Sequence, residues 1–210
     1  MPVRSNESGA ASDLVVVGLG NPGPEYARTR HNIGWLCLEA FGRRIGIEIS
    51  RRRWRSRVGS GEAAGRRVWL LEPQTFMNLS GRAVHEAMRD LGVGPESLWV
   101  VHDEMDLPLC RLRIRTDGSD AGHNGVRSIS AALGTNDFVR FRVGVGKQPA
   151  PGHSVGVRHV LGRFTKGEGE DVEAVVENVA SALETALHSG VTRAMELYNR
   201  AGSLGCEELR

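Results

Sequence analysis

The sequence predicts one α/β domain, a single twisted mixed β-sheet flanked by helices. Short β-branched apolar runs alternate with segments whose apolar residues recur at helical spacing, which is the pattern of strands joined by crossover helices. The chain has 210 residues, and at roughly 150 residues per domain one large domain is favoured over two. A composition of 40% hydrophobic and 25% charged residues excludes a disordered chain, a collagen and a disulfide-stapled mini-protein.

The domain is expected to span residues 13–200. Residues 1–12 are small and polar, so we interpret them as a flexible leader, and residues 201–210 as a C-terminal tail. The leader lacks the apolar core of a secretory signal. No apolar run approaches the roughly 18 residues that cross a membrane. Together with three widely spaced cysteines that form no CxxC pair, these features predict a cytoplasmic protein without a membrane partner.

Four structured segments are predicted in the first half of the chain. In order, they are a strand at 13–18, a helix at 32–44, strands and hairpins at 47–71, and a helix at 78–91. The first is a β-branched run that ends in glycines, as buried strands do. Both helices carry an apolar stripe, and Gly92 ends the second. Within the hairpins, residues 59–61 and Gly65 are the expected turns.

The second half continues the alternation of strands and helices. In order, we expect strands at 98–102 and 111–115, a helix at 126–133, a strand at 138–145, a loop at 147–162 and helices at 171–188 and 191–199. Proline, glycine and histidine dominate the expected loop. Helix 171–188 has an apolar stripe and an acidic start, which suits the helix dipole. It could cover a cleft as a lid or pack on the sheet, and the lid is favoured.

The basic residues are almost all arginine. The net charge is only +2, but 25 of the 27 basic residues are Arg. Arginine binds phosphate through two parallel hydrogen bonds, so a nucleic-acid partner is conceivable. A coding bias that replaces lysine everywhere explains the same count, and composition alone favours the bias.

A glycine-rich loop follows the first predicted strand. Gly18-Leu-Gly-Asn-Pro-Gly23 matches the GxGxxG pattern of dinucleotide-binding loops. Such a loop should open directly into a helix, but Pro22 and Pro24 interrupt the stretch. A nucleotide-dependent oxidoreductase is therefore the weaker alternative.

A histidine and an aspartate are the candidate acid–base residues. His31 stands before a predicted helix, whose positive end is expected to lower its pKa and keep it neutral as a general base. Asp103 ends an apolar strand, where ligands gather in α/β sheets, and it could orient His31. Two alternatives stay open. His31 could be incidental to a capping cluster, and Asp103 could join Glu104 and Asp106 in a Mg²⁺ site or a solvated turn.

Three asparagines stand beside glycines or close to predicted strand ends: Asn21, Asn78 and Asn124. An asparagine both donates and accepts hydrogen bonds, so it can hold a peptide amide or a carbonyl oxygen. Each alone is more often a turn or cap residue. They indicate a binding site only if they converge in space.

Four blocks in order resemble the bacterial peptidyl-tRNA hydrolase family. They are Val17-Gly-Leu-Gly-Asn-Pro-Gly-Pro-Glu-Tyr-Ala-Arg-Thr-Arg-His-Asn-Ile-Gly34, Pro73-Gln-Thr-Phe-Met-Asn-Leu-Ser-Gly81, His102-Asp-Glu-Met-Asp-Leu-Pro108 and Ala121-Gly-His-Asn-Gly125. The resemblance spans about residues 14–200. It implies a monomeric enzyme that hydrolyses the ester between a peptide and the 3′ ribose of tRNA released from ribosomes, with no metal or other cofactor. A homologue that binds RNA without turnover is the alternative.

The resemblance also assigns site residues. It implies that His31 is the base that activates water, that Asp103 orients it, and that Asn21 completes the catalytic set. It places six further residues at the substrate: Tyr26, Phe76, Met77, Asn78, His123 and Asn124.

Cations are needed for the polyanionic half of such a substrate. Arg113 and Arg115 alternate on one predicted strand and are the first candidates for tRNA phosphate, followed by Arg140 and Arg142. Aromatic residues make up only 5% of the chain, which argues against a base-stacking platform. Binding is therefore expected to be directed at the backbone and sensitive to salt.

Overall fold

A seven-stranded mixed sheet forms the centre of the protein in the computed structural model, which describes residues 13–146 and 153–200. The strands are β1 (Leu14–Gly18), β2 (Arg51–Arg53), β3 (Ser56–Ala63), β4 (Arg66–Pro73), β5 (Leu98–Glu104), β6 (Leu112–Arg115) and β7 (Val139–Gly144). Their order across the sheet is β2-β3-β4-β1-β5-β7-β6. The four central strands are parallel, and the outer pairings are antiparallel. The predicted fold class is confirmed.

Helices cover both faces of this sheet. They are α1 (Ile33–Arg44), α2 (Ser80–Leu91), α3 (Asn124–Leu133), α4 (His153–Val160), α5 (Gly169–Ser189) and α6 (Val191–Tyr198). Leu14 and Val16 of β1 pack with α1, α5 and α6, whereas Val15 and Val17 pack with α2 and α3. The alternation along one buried strand thus divides the core into two layers. No helix in the described part of the chain is long and apolar enough to cross a membrane.

Two glycines bring β1, α1 and β5 into unusually close contact. A Cβ on Gly34 would lie 2.5 Å from the carbonyl oxygen of Val101 and 2.6 Å from backbone atoms of Leu19. A Cβ on Gly18 would lie 2.5 Å from the carbonyl oxygen of Gly34. The start of α1 therefore rests directly on the ends of β1 and β5, which sets the distance between His31 and Asp103.

The turn expected at residues 59–61 is wrong, because these residues lie inside β3. Of the two expected turns, only the one at Gly65, whose φ is 72°, is present, between β3 and β4. Gly59 is needed for a different reason, since a Cβ there would lie 2.5 Å from the carbonyl oxygen of Glu48. The glycine lets a neighbouring segment cross the strand at close range.

The region expected to be a loop at 147–162 contains the helix α4, so that prediction is wrong for His153–Val160. The lid proposed for residues 171–188 is wrong as well. The buried side chains of α5, among them Val175, Val179 and Leu183, belong to the core cluster beneath α1. None of them lines the main cleft. The proposed leader at 1–12 and tail at 201–210 lie outside the described residues.

Candidate active site

A cleft of about 680 Å³ opens at the carboxyl ends of the central parallel strands. Its floor comes from the loops that follow β1 and β4, from the end of β5 and from the turn before α3, and α4 forms one wall. It is lined by Asn21, His31, Phe76, Met77, Asn78, Asp103, Glu104, Met105, Ala121, Gly122, His123, Asn124, Gly156, Val157, Val160 and Leu161. The edge of the sheet thus gathers polar side chains that are far apart along the chain.

A buried carboxylate joins two histidines on the cleft floor. Nδ1 of His31 lies 2.8 Å from Oδ1 of Asp103, and Nε2 of His123 lies 2.9 Å from the same oxygen. The Asp103 side chain is only 2% exposed. The structure therefore brings together the predicted His31–Asp103 pair and adds a second histidine to it.

Hydrogen-bond partners determine the tautomers of both rings. Nδ1 of His123 accepts hydrogen bonds from the backbone N–H groups of Gly125 and Val126, at 3.1 and 3.3 Å, so Nε2 carries the proton that His123 donates to Asp103. His31 in turn donates from Nδ1 to the carboxylate, which accepts only. Nε2 of His31 is then an unprotonated nitrogen without a partner among the described residues, in a ring that lines the cleft.

The pKa of His31 is raised, which contradicts the expectation that the helix end lowers it. Burial lowers the pKa of His31, but the charge and hydrogen bond of Asp103 raise it by more. For Asp103, burial alone would raise the pKa of the carboxyl group, but the two histidines hold that pKa well below its usual range. The carboxylate is therefore charged and stabilises an imidazolium at His31.

A third histidine, His102, supports this arrangement from inside the protein. Its ring lies edge-on to His123 with the centroids 4.7 Å apart, and its Nδ1 lies 2.8 Å from the carbonyl oxygen of Asp103. Burial and the neighbouring His123 lower the pKa of His102 to about 3. His102 therefore remains neutral and cannot compete with His31 for a proton near neutral pH.

Hydrogen bonds hold Asn21 in one orientation. The Asn21 side-chain oxygen accepts from the backbone N–H of Met77 at 2.8 Å, which turns Nδ2 away from that contact. The Asn32 side chain binds both the N–H and the carbonyl of Asn21, each at 3.0 Å. Asn21 Nδ2 has no partner among the described residues and is the free donor of this group. Sequence reasoning assigned Asn32 no part in the site and missed this role.

The other predicted substrate residues fall into three groups. Phe76, Asn78 and Asn124 are exposed at the cleft, with Phe76 57% exposed, and Met77 is buried in its floor. His123 lines the cleft, but both of its ring nitrogens are engaged, as described above. Tyr26 does not line the cleft, and its carbonyl oxygen accepts from the N–H and hydroxyl of Thr29.

Helix α4 forms an apolar wall that was not predicted. Val157 and Leu161 are 37% and 38% exposed, and with Phe76 they are three of the four large apolar side chains exposed in the described part of the chain. All three line the cleft. Val157, Val160 and Leu161 have the i, i+3, i+4 spacing of one helix face, a signal that the sequence does carry.

Three of the four candidate phosphate-binding arginines are engaged within the protein. Arg140 is 2% exposed and donates to the backbone carbonyls of Gly118, Ser119 and Asn136. Arg142 pairs with Glu104 at 2.7 Å, and Arg113 donates to the carbonyl of Asn199. These contacts argue against Arg140 as a phosphate ligand.

Arg115 is exposed, and its side chain has no hydrogen-bond or ion-pair partner among the described residues. It stands opposite Arg140 in the ladder between β6 and β7. Of the four arginines it therefore has the side chain best placed for an external anion.

The acidic cluster at the end of β5 does not converge as a metal site. Glu104 binds Arg142 through Oε2 and the backbone N–H of Asp106 through Oε1, whereas Asp103 binds the two histidines. Among the described residues, only His31, Asp103 and His123 bring potential ligand atoms together, within 4.8 Å of one another. A metal ion there would have to displace the protons of both hydrogen bonds to Asp103.

Comparison with known proteins points to one family. Residues 15–204 match the family model described as peptidyl-tRNA hydrolase. A protein of that name from Caldanaerobacter subterraneus subsp. tengcongensis is 44% identical over 185 residues, covering 88% of this chain and 98% of its own. One from Chloroflexus aurantiacus is 46% identical over 186 residues, with 88% and 98% coverage. The crystal structure of peptidyl-tRNA hydrolase from Acinetobacter baumannii superposes with a TM-score of 0.83 at 33% identity, covering 91% of this chain and 97% of that one.

Proposed function

The chain belongs to the peptidyl-tRNA hydrolase family and hydrolyses peptidyl-tRNA, and on this premise we propose that His31 is the general base of the reaction. The observation that carries the proposal is the shared oxygen of Asp103, which accepts from both His31 and His123. It supports a neutral His31 with Nε2 free to take a proton from water.

The hydrolysis proceeds in two stages in this proposal. A water hydrogen-bonded to Nε2 of His31 attacks the ester carbonyl carbon while His31 takes its proton, and Asp103 stabilises the imidazolium. The tetrahedral intermediate then collapses, and His31 returns the proton to the departing 3′ oxygen of the ribose. Asn21 donates a hydrogen bond from Nδ2 to the developing oxyanion, and its contacts with Met77 and Asn32 hold this donor in place.

The peptide half of the substrate is proposed to lie along the apolar wall and the two asparagines at the rim. Phe76 and the exposed face of α4 accept apolar side chains, and Asn78 and Asn124 pair with the peptide backbone. A neutral amide accepts the N-blocked group, whereas a carboxylate would favour a free ammonium. The enzyme is therefore expected to prefer peptidyl-tRNA over aminoacyl-tRNA.

The tRNA half is proposed to contact the enzyme through its phosphates, with Arg115 as the leading cation. We propose that the enzyme is a monomer, and light scattering of the purified protein tests that state. A cytoplasmic location is proposed because ribosomes release peptidyl-tRNA there.

Replacing His31 tests the proposal, with His85 on α2 as the matched control, since it is an exposed histidine outside the cleft. His31→Ala is expected to lower single-turnover hydrolysis of N-acetylated aminoacyl-tRNA by at least ~10²-fold, the usual contribution of a general base. Binding of uncharged tRNA should stay near normal, and His85→Ala should behave as wild type. Turnover that survives in His31→Ala would remove His31 from the mechanism.

A further inference from the structure

Arg30, the residue before His31, is buried and fully engaged. It is 8% exposed, and each guanidinium nitrogen has a partner. Nε donates to the carbonyl of Val145 at 3.2 Å, Nη1 donates to the carbonyl of Arg163, and Nη2 lies 2.8 Å from both carboxylate oxygens of Glu168. The hydrolysis mechanism above uses none of these contacts.

Two of the three side-chain partners of Arg30, Arg163 and Glu168, lie in the segment that follows α4. Backbone contacts reinforce the side-chain ones, because Arg30 N–H donates to the carbonyl of Gly162 at 3.0 Å and Thr29 forms a β-bridge with Arg163. The Phe164 ring lies 4.8 Å from the guanidinium carbon. The segment 162–168 is therefore attached to the two residues immediately before His31.

Glu168 is itself held in place. It completes a capping box with Thr165, whose backbone N–H lies 2.7 Å from Oε2. Burial alone would raise the pKa of Glu168, but the hydrogen bonds from Thr165 and the charge of Arg30 outweigh that effect and lower the pKa, so the carboxylate is charged. An arginine–carboxylate contact of this kind restricts orientation more than a lysine could.

This clamp of Arg30 and Glu168 joins two parts of the cleft. On one side is His31, and on the other is the segment that leads directly from the apolar wall of α4. Ion pairs on the surface contribute little to stability. The Arg30 side chain is only 10% exposed, however, and without Glu168 it would be left with buried, unpaired donors. Its loss should therefore shift the backbone that carries His31.

We propose that Arg30 and Glu168 are positioning residues that fix the base His31 relative to the α4 wall, and thereby relative to the ester of a bound peptidyl-tRNA. This inference rests on the proposed role of His31. The pair is expected to affect the rate of the chemical step rather than substrate affinity, because a displaced base slows hydrolysis of a substrate that is already bound.

The test compares Glu168→Ala, Glu168→Gln and Arg30→Lys by steady-state hydrolysis of N-acetylated aminoacyl-tRNA. Glu168→Ala should lower kcat about tenfold or more, with KM within about twofold of wild type. Glu168→Gln keeps an oxygen acceptor of the same size and should restore part of the loss. Arg30→Lys should not, since a single ammonium cannot replace three directed donors.

The control is Glu184→Ala, which removes the exposed ion pair between Glu184 on α5 and Arg44 on α1, at 2.8 Å, outside the cleft. It should leave kcat and KM unchanged. A wild-type kcat in folded Glu168→Ala and Arg30→Lys, or a raised KM with kcat intact, overturns the inference. If His31→Ala is inactive in the same assay, such a result refutes the clamp alone, whereas an active His31→Ala refutes the proposed base.

Discussion

Replacing Asp103 with asparagine separates its charge from its geometry. Both histidines donate to Oδ1, and an asparagine oxygen can accept the same two hydrogen bonds, so Asp103→Asn can keep both ring tautomers. The variant loses the negative charge 2.8 Å from Nδ1 of His31. Two unit charges at that distance interact by about 6 kcal/mol at an effective dielectric of 20. With about half a charge on the imidazole in the transition state, the loss is about 3 kcal/mol, or ~10²-fold in kcat.

The pH dependence of the same variant gives an independent readout. The His31 ring faces Asp103, which raises its pKa, and the ring of His123, whose centroid lies 5.1 Å away. Since the base must be unprotonated, wild-type kcat/KM should fall as the pH drops through the raised pKa of His31. Without the carboxylate, burial remains and lowers the pKa of His31. The acid limb of the profile should therefore move to lower pH in Asp103→Asn.

The assay is the pH profile of single-turnover hydrolysis of N-acetylated aminoacyl-tRNA, with Asp106→Asn as the matched control. Asp106 is an exposed carboxylate three residues along the chain and does not line the cleft. It should leave the rate and the profile unchanged. A rate near wild type in Asp103→Asn, or an acid limb that does not move or moves to higher pH, would refute the reasoning.

Three further predictions concern packing, tRNA and metals. Gly34→Ala places a Cβ 2.5 Å from the carbonyl oxygen of Val101, so it should lower the free energy of unfolding in urea by about 2–3 kcal/mol. In the control Gly169→Ala the new Cβ has no atom within 4 Å, and the free energy of unfolding should fall by less than ~0.5 kcal/mol. Equal effects of the two variants would contradict the close packing at Gly34. Arg115→Ala should reduce the slope of log K against log salt for tRNA binding by about one, and an unchanged slope excludes that contact. Activity should persist after dialysis against EDTA, and its full loss would instead support a metal held by the histidines and Asp103.

Much of the fold follows from local sequence patterns. The strands β1 and β5 and the helices α1 and α2 are apolar runs or stripes with clear stops, so their position was predicted to within a few residues. Gly59 was misinterpreted as a turn because the reason for a glycine there, the close approach of the Glu48 carbonyl, is a tertiary contact that the local sequence does not reveal. The helix α4 was missed because its glycine and histidines resemble a loop, although its apolar spacing was visible.

The site divides in the same way. His31 and Asp103 were predicted because His31 stands before a predicted helix and Asp103 ends a predicted strand. The structure brings both to one edge of the parallel sheet. The engagement of Arg140 and of Arg30 could not be predicted, because their partners are backbone carbonyls and carboxylates brought close by the fold. Local sequence gives a residue's chemistry, but long-range contacts decide whether a charged group faces solvent.

The most direct test of the central claim is a ¹⁵N NMR titration of the His31 ring alongside the kinetic pH profile. The structure predicts a neutral ring protonated at Nδ1 and unprotonated at Nε2, with a pKa that Asp103 raises above its ordinary value and that matches the acid limb of kcat/KM. A ring protonated at Nε2, or a titration that does not coincide with the kinetic one, would contradict His31 as the base held by Asp103.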